Sequence, residues 1–143
     1  MANRGAPGSR AAEPLRRSGR GYRETFQSRE SNECQKAINA LDPDTKALIR
    51  SDLQEFTKRW KQTSNDEDLR KSRFTYKPLS GRECREAKLN EIYVGHGKYR
   101  VAITVVVYDE TVWFVYCFKK GKADQKQGIT RSVRIAQDIR KGN

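Results

Sequence analysis

The sequence predicts an α+β domain, with two N-terminal helices packed on a small twisted antiparallel sheet and a short helix closing the chain. Three observations predict it. The run from Tyr99 to Lys120, YRVAITVVVYDETVWFVYCFKK, is dominated by Val, Ile, Tyr, Phe and Trp, lacks Pro and Gly, and breaks at Asp109-Glu110, the pattern of a β-hairpin. Two stretches before it and one after it carry apolar residues at helical spacing. Finally, 143 residues, 35% hydrophobic and 34% charged, suffice for one domain with a modest core and not for two of ordinary size.

Residues 1–20, MANRGAPGSRAAEPLRRSGR, contain one large aliphatic residue, Leu15, and cannot bury enough surface to offset their ordering entropy. A disordered basic extension is expected there, with the domain spanning 21–143. Tyr22 to Gln27 alternates aromatic and polar residues as a short strand does. From Ser31 to Leu41, the positions Cys34, Ala37, Ile38 and Leu41 form one helical stripe. Asp42-Pro43 then supplies an N-cap side chain and a proline at the first helical position, and Ile49, Leu53, Phe56 and Trp60 continue as a second stripe. Both helices are nearly neutral, which suits elements covering one face of a sheet.

Lys61 to Arg73 has one apolar residue, Leu69, and reads as a surface connection. Phe74, Tyr76 and Leu79 precede a turn at Ser80-Gly81. Cys84 to Ile92 reads as a strand pairing with the hairpin, while Glu83 to Leu89 reads nearly as well as a helix. Tyr93 to Lys98 flanks His96, the one histidine, with glycines and makes a tight connection. After the hairpin, Ile129, Val133, Ala136 and Arg140, with Ile139 beside them, give a short helix with a narrow apolar stripe, and its other face is basic through Arg131, Arg134 and Lys141.

Thirty Lys and Arg against 18 Asp and Glu give a formal charge of +12 and a pI near 9.9, which favours a polyanionic partner. Residues 31–60 carry five of each sign, so the excess lies in the tail and around the hairpin. No apolar run approaches the roughly 18 to 20 residues that span a bilayer, and no secretory h-region is present, so a cytoplasmic protein is expected. Cys34, Cys84 and Cys117 are odd in number and lack metal-ligand spacing, which points to reduced thiols and no metal site.

In this order the pieces resemble a known family. LDPDTKALIRSDLQEF resembles the second-helix region of RelE-like toxins, KYRVAITVVVYDETVWFVYCFKKGK resembles the paired strands of their HigB or phage Gp49-like branch, and GITRSVRIAQDIRKG is similar to their closing helix. The resemblance covers about residues 22–143. It implies a RelE-like microbial-ribonuclease fold and the toxin of a type II toxin-antitoxin pair. Such a toxin is a metal-independent endoribonuclease that cuts messenger RNA, commonly on the ribosome, and needs no cofactor. Its partner is a helix-turn-helix antitoxin from a neighbouring gene. The sheet face opposite the two helices, with its basic rim, is the expected RNA surface.

Metal-independent cleavage uses the ribose 2′-OH as nucleophile, so the site must stabilise a charged phosphorane and move two protons. The family pattern carries the transition-state role onto Arg100, Lys119 and Lys120, with the basic position of the preceding strand near Lys88 or Arg85. Arg82, Lys122 and Tyr99 complete the expected RNA contacts. Strand alternation allows only one of Lys119 and Lys120 to share a face with Arg100, and parity with Phe118 favours Lys120. Residues 119–143 contain neither His nor Tyr, where many relatives have one, so the general acid is unassigned. His96 and the strand aromatics Tyr99 and Tyr108 read first as loop and packing residues.

Overall fold

The computed structural model describes residues 23–96, 100–119 and 121–142. Its elements are β1 (Gln27–Glu30), α1 (Asn32–Asn39), α2 (Pro43–Gln62), α3 (Asp66–Arg70), β2 (Lys77–Pro78), α4 (Arg82–Ala87), β3 (Asn90–Val94), β4 (Val101–Tyr108), β5 (Thr111–Lys119) and α5 (Lys122–Arg140). The expected 1–20 extension lies outside the described residues. The α+β class holds. No helix among the described residues is long and apolar enough to cross a membrane.

The hairpin forms as its sequence dictates. β4 and β5 pair antiparallel from Tyr108↔Thr111 to Val101↔Lys119. Asp109 and Glu110 turn the chain with φ of 53° and 54°, the left-handed pair that a two-residue hairpin needs to match strand twist. The register steps from Thr104↔Tyr116 to Val105↔Phe114, leaving Val115 as the extra residue of a bulge. Strand order is β1-β5-β4-β3-β2.

Four details depart from expectation. The sheet is mixed, because β1 runs parallel to β5. The first strand starts at Gln27 and not Tyr22, because Arg23–Thr25 form a turn that sets the Arg23 guanidinium 3.6 Å from the Trp60 ring centroid and Phe26 6.2 Å from it. The Lys61–Arg73 connection contains α3, whose Leu69 is fully buried. The closing helix is 19 residues long, since it starts directly after Gly121 through two polar turns that carry no apolar stripe to reveal it.

Caps fix the helix starts. The Ser31 hydroxyl accepts the Cys34 N–H at 2.9 Å and donates to the Val115 carbonyl at 2.5 Å, so one side chain both begins α1 and ties it to β5. Asp42 accepts the Thr45 N–H at 3.1 Å and the Thr45 hydroxyl at 2.7 Å.

Helices cover both faces of the sheet, which corrects the expectation of an open RNA-binding face. Val101, Ile103 and Val105 of β4, with Ile92 and Val94 of β3, pack on one side against Ile49, Leu53, Phe56 and Trp60 of α2. Val106 and Val115 pack on the other against Val133, Ile135, Ala136 and Ile139 of α5, beside Cys84 and Ala87 of α4. Thr104 reaches the same side, where its hydroxyl lies 2.7 Å from that of Ser132. Gly128 permits the close approach of α5, because a Cβ there would sit 2.4 Å from the Phe118 ring.

Candidate functional site

One end of the sheet brings the ends of β3, β4 and β5 together. Val94 pairs with Val101, and Val101 with Lys119, so the first residue before β4 and the last residue of β5 meet at one end. Arg100 is exposed there. Its guanidinium lies 5.0 Å from the Tyr93 ring centroid, and Nη2 donates to the Arg73 carbonyl at 3.4 Å. Tyr93 is therefore a platform that holds Arg100 while leaving its remaining donors for an anion.

A buried carboxylate braces this end. Asp52 of α2 is 4% exposed; its Oδ1 accepts Arg73 Nη2 at 2.8 Å and its Oδ2 accepts the Gly95 N–H at 2.6 Å. Burial alone would raise the Asp52 carboxyl, but the hydrogen bonds from Arg73 and Gly95 and the Arg73 charge outweigh it and hold it below the ordinary range. Gly95, at φ 84°, makes the left-handed turn off β3 that a side chain would strain, and His96 follows it on the surface. Asp52 thus fixes the loop that leaves β3.

Lys119 is exposed at this end, but strand alternation points it away from Arg100. It shares parity with Cys117 on the α2 side, whereas Arg100 shares parity with Ala102, Tyr93 and Phe118 on the α5 side. Lys119 lines a groove of about 380 Å³ with Tyr116, Asp124, Gln127, Gly128 and Arg131. In it, Arg131 Nη1 donates to the Tyr116 hydroxyl at 3.2 Å. Lys120, Tyr99 and the side chain of Lys122 lie outside the described residues.

Arg82, Arg85 and Lys88 do not join the site. Asn90 pairs with Val105, four residues along β4 from Val101, so about 14 Å of strand separates the Lys88 end from the Arg100 row. Arg82 and Arg85 belong to α4 and not to a strand, and Arg82 Nε is paired with Glu86 at 3.2 Å. Lys88 caps α4 in the left-handed conformation, φ 56° and ψ 46°. The helical reading of Glu83–Leu89 prevails, which moves Arg85 and Lys88 off the strand they were expected to occupy.

One residue that sequence reasoning passed over, Tyr93, stands beside Arg100. β3 extends to Val94, so Tyr93 is a strand residue and not part of the connection. Glu91 and Tyr93 alternate with the core residues Ile92 and Val94, and that alternation was the signal available. Lys77 of β2 also reaches the Tyr93 ring, at 5.7 Å.

A cleft of about 610 Å³ lies elsewhere, between β1, α1 and α2. It is lined mainly by polar side chains, with Leu53 and Phe114 among them, and its Arg50 is ion-paired with Glu30. No nucleophile is evident among the cysteines: all three are buried, and burial raises the Cys34 thiol and pushes the Cys117 thiol up to about 12. No group of His, Cys, Asp and Glu with metal-binding geometry occurs among the described residues. No family model, curated protein or solved structure matches this chain.

Proposed function

We propose that this chain is a RelE/HigB-like toxin of a type II toxin-antitoxin pair, a metal-independent endoribonuclease that cuts messenger RNA on the ribosome in the cytoplasm. The carrying observation is Arg100, exposed at the end of the sheet with its guanidinium 5.0 Å from the Tyr93 ring centroid and bonded to the Arg73 carbonyl. A guanidinium grips a phosphate with two parallel hydrogen bonds and does not lose its charge, which suits it to a phosphorane. The net charge of +12 draws RNA to the protein over distances that pairwise contacts do not reach. A helix-turn-helix antitoxin from the adjacent gene restrains the toxin by meeting this basic end with an acidic surface.

Induced expression in bacteria is expected to arrest growth and to leave cut messages, and co-expression of the neighbouring gene to restore growth. Absence of both arrest and cleavage would overturn the ribonuclease reading. A second reading, a non-catalytic RNA-binding module, is favoured by the lack of His or Tyr after Lys119. It predicts RNA retardation with steep salt dependence and intact RNA.

A further inference from the structure

Glu91 is 2% exposed, yet it is not fully satisfied. Its Oε1 accepts the Tyr93 hydroxyl at 2.9 Å and lies 4.0 Å from Lys77 Nζ. Its Oε2 is buried with no hydrogen-bond partner. A half-satisfied buried carboxyl is costly, and a fold that keeps one needs a reason for it. The surrounding charges are Lys77 from β2 and Arg100 ahead of β4, both over the Tyr93 ring, and the Cys84 thiol of α4. Burial, then the charges of Glu83 and Glu91, push that thiol up, which places Cys84 within range of Glu91 and leaves it protonated. From β4, Thr104 pairs across from Glu91, and its hydroxyl is engaged with Ser132.

We propose that Tyr93 and Glu91 form the proton-accepting pair of this site, an inference that rests on the ribonuclease reading. Tyr93 is half-buried and shares a face with Arg100, so a phosphate held by Arg100 presents its ribose near the phenol. As the 2′-oxygen bonds to phosphorus, its proton passes to Tyr93 Oη while the Tyr93 proton passes to Glu91 Oε1. The bond from phosphorus to the 5′-oxygen then breaks, and the leaving oxygen takes a proton from water. The products are a 2′,3′-cyclic phosphate and a 5′-hydroxyl, and Glu91 returns its proton to solvent. Tyr93 is the catalytic residue of the pair, and Glu91 acts through it. The arrangement supplies a base from β3, where no late His or Tyr is required.

The full chain and a message RNA on ribosomes test the pair. Tyr93→Phe keeps the ring under Arg100 but removes the hydroxyl. Glu91→Gln keeps a carbonyl to accept the Tyr93 hydrogen bond but cannot take its proton. Each is expected to lower kcat about 100-fold, the lower range for general-base catalysis, with KM within about twofold. The residual rate of Glu91→Gln should climb with pH as hydroxide replaces the base, where the unaltered protein levels off. A loss that is uniform across pH, or none, overturns the pair. A measurement on the unaltered protein guards against misfolded variants. In mixtures of H2O and D2O, two protons moving together give a curved dependence of kcat on deuterium fraction, and a straight line overturns the relay. If the unaltered protein cuts no RNA, both the ribonuclease reading and the pair fall. If it cuts and Tyr93→Phe cuts equally well, the pair alone falls.

Discussion

At the end of the sheet where β4 begins, Arg100 lies over Tyr93, Arg73 is clamped to the buried Asp52, and Gly95 is tied to the same carboxylate. At the end where β4 turns into β5, Arg82 is paired with Glu86 along one exposed helix face, and Lys88 closes α4 through its backbone. Both ends are basic, but of the cations expected to contact RNA, Arg100 is held by neighbours from other elements whereas Arg82 is paired within its own helix. An arginine fixed by distant parts of the chain has already lost much of its side-chain freedom before it meets a phosphate, whereas an exposed i,i+4 pair adds only a few tenths of a kcal/mol to its helix. Charge alone does not mark a site; charge held in place by the fold does.

The sharpest way to break this comparison is to remove one cation at each end. Arg100→Ala is expected to cut RNA cleavage about 100- to 1000-fold, the loss typical of deleting one charge-stabilising donor, and to relieve growth arrest. Because Arg100 is exposed, thermal stability should stay within about 0.5 kcal/mol. Arg82→Ala and Arg85→Ala should each leave cleavage within about twofold. Kinetics at matched protein concentration decide it, and equal losses at the two ends would mean that the register does not separate them functionally.

The brace beneath Arg100 gives a smaller effect with a pH signature. Replacing Arg73 by Ala removes the ion pair to Asp52 while leaving that carboxylate buried. Arg73 is partly exposed, its side chain 39% accessible, so the expected cost is about 1 to 2 kcal/mol and not the larger penalty of a fully buried pair. The sign follows from the direction of the Asp52 shift. A carboxyl lowered in the folded state stabilises at pH values above its unfolded value of about 3.9, and that stabilisation fades as pH falls toward the folded value below it. Denaturant melts at pH 7 should therefore separate the parent from Arg73→Ala. Melts at successively lower pH below about 4 should bring them progressively together; a gap that does not narrow would place the Arg73 contribution in packing on Phe74, whose ring centroid its guanidinium approaches at 4.2 Å.

The sequence makes these ends unequally legible, for physical reasons. The hairpin, both early helices and their caps are local patterns, and Asp42-Pro43 and Asp109-Glu110 act within a few residues of themselves. Arg100 and Lys119 follow directly from pairing the two halves of that hairpin. What sequence cannot supply is the partner brought from afar: Asp52 meets Gly95 across 43 positions. The parallel addition of β1 beside β5 is likewise a tertiary event, set where Ser31 leaves the sheet at Phe114. The segment Cys84–Ile92 misleads because a helix and a strand share it. Leu89 is buried between them, and a turn at Lys88 moves its two cations, Arg85 and Lys88, away from the row they were expected to join.

Lys88 is where backbone and side-chain roles are most easily separated, and the expected effect there is the smallest. With φ at 56° and ψ at 46°, it adopts a conformation that costs a side-chain-bearing residue roughly 1 kcal/mol and costs glycine little. Its N–H returns to the Arg85 carbonyl at 3.1 Å, so the position serves as the left-handed cap that ends α4 and aims the chain into β3. Lys88→Gly keeps that geometry and deletes the charge. Stability is expected to rise by about 0.5 kcal/mol, since glycine relieves the strain but adds freedom to the unfolded chain. Cleavage and growth arrest should not change, because this end stands about 14 Å along the strands from Arg100. A denaturant melt and a growth curve at matched expression read the two quantities separately. Raised stability with lost toxicity would show that the Lys88 ammonium contacts the RNA, and would extend the site along β3 to the turn end.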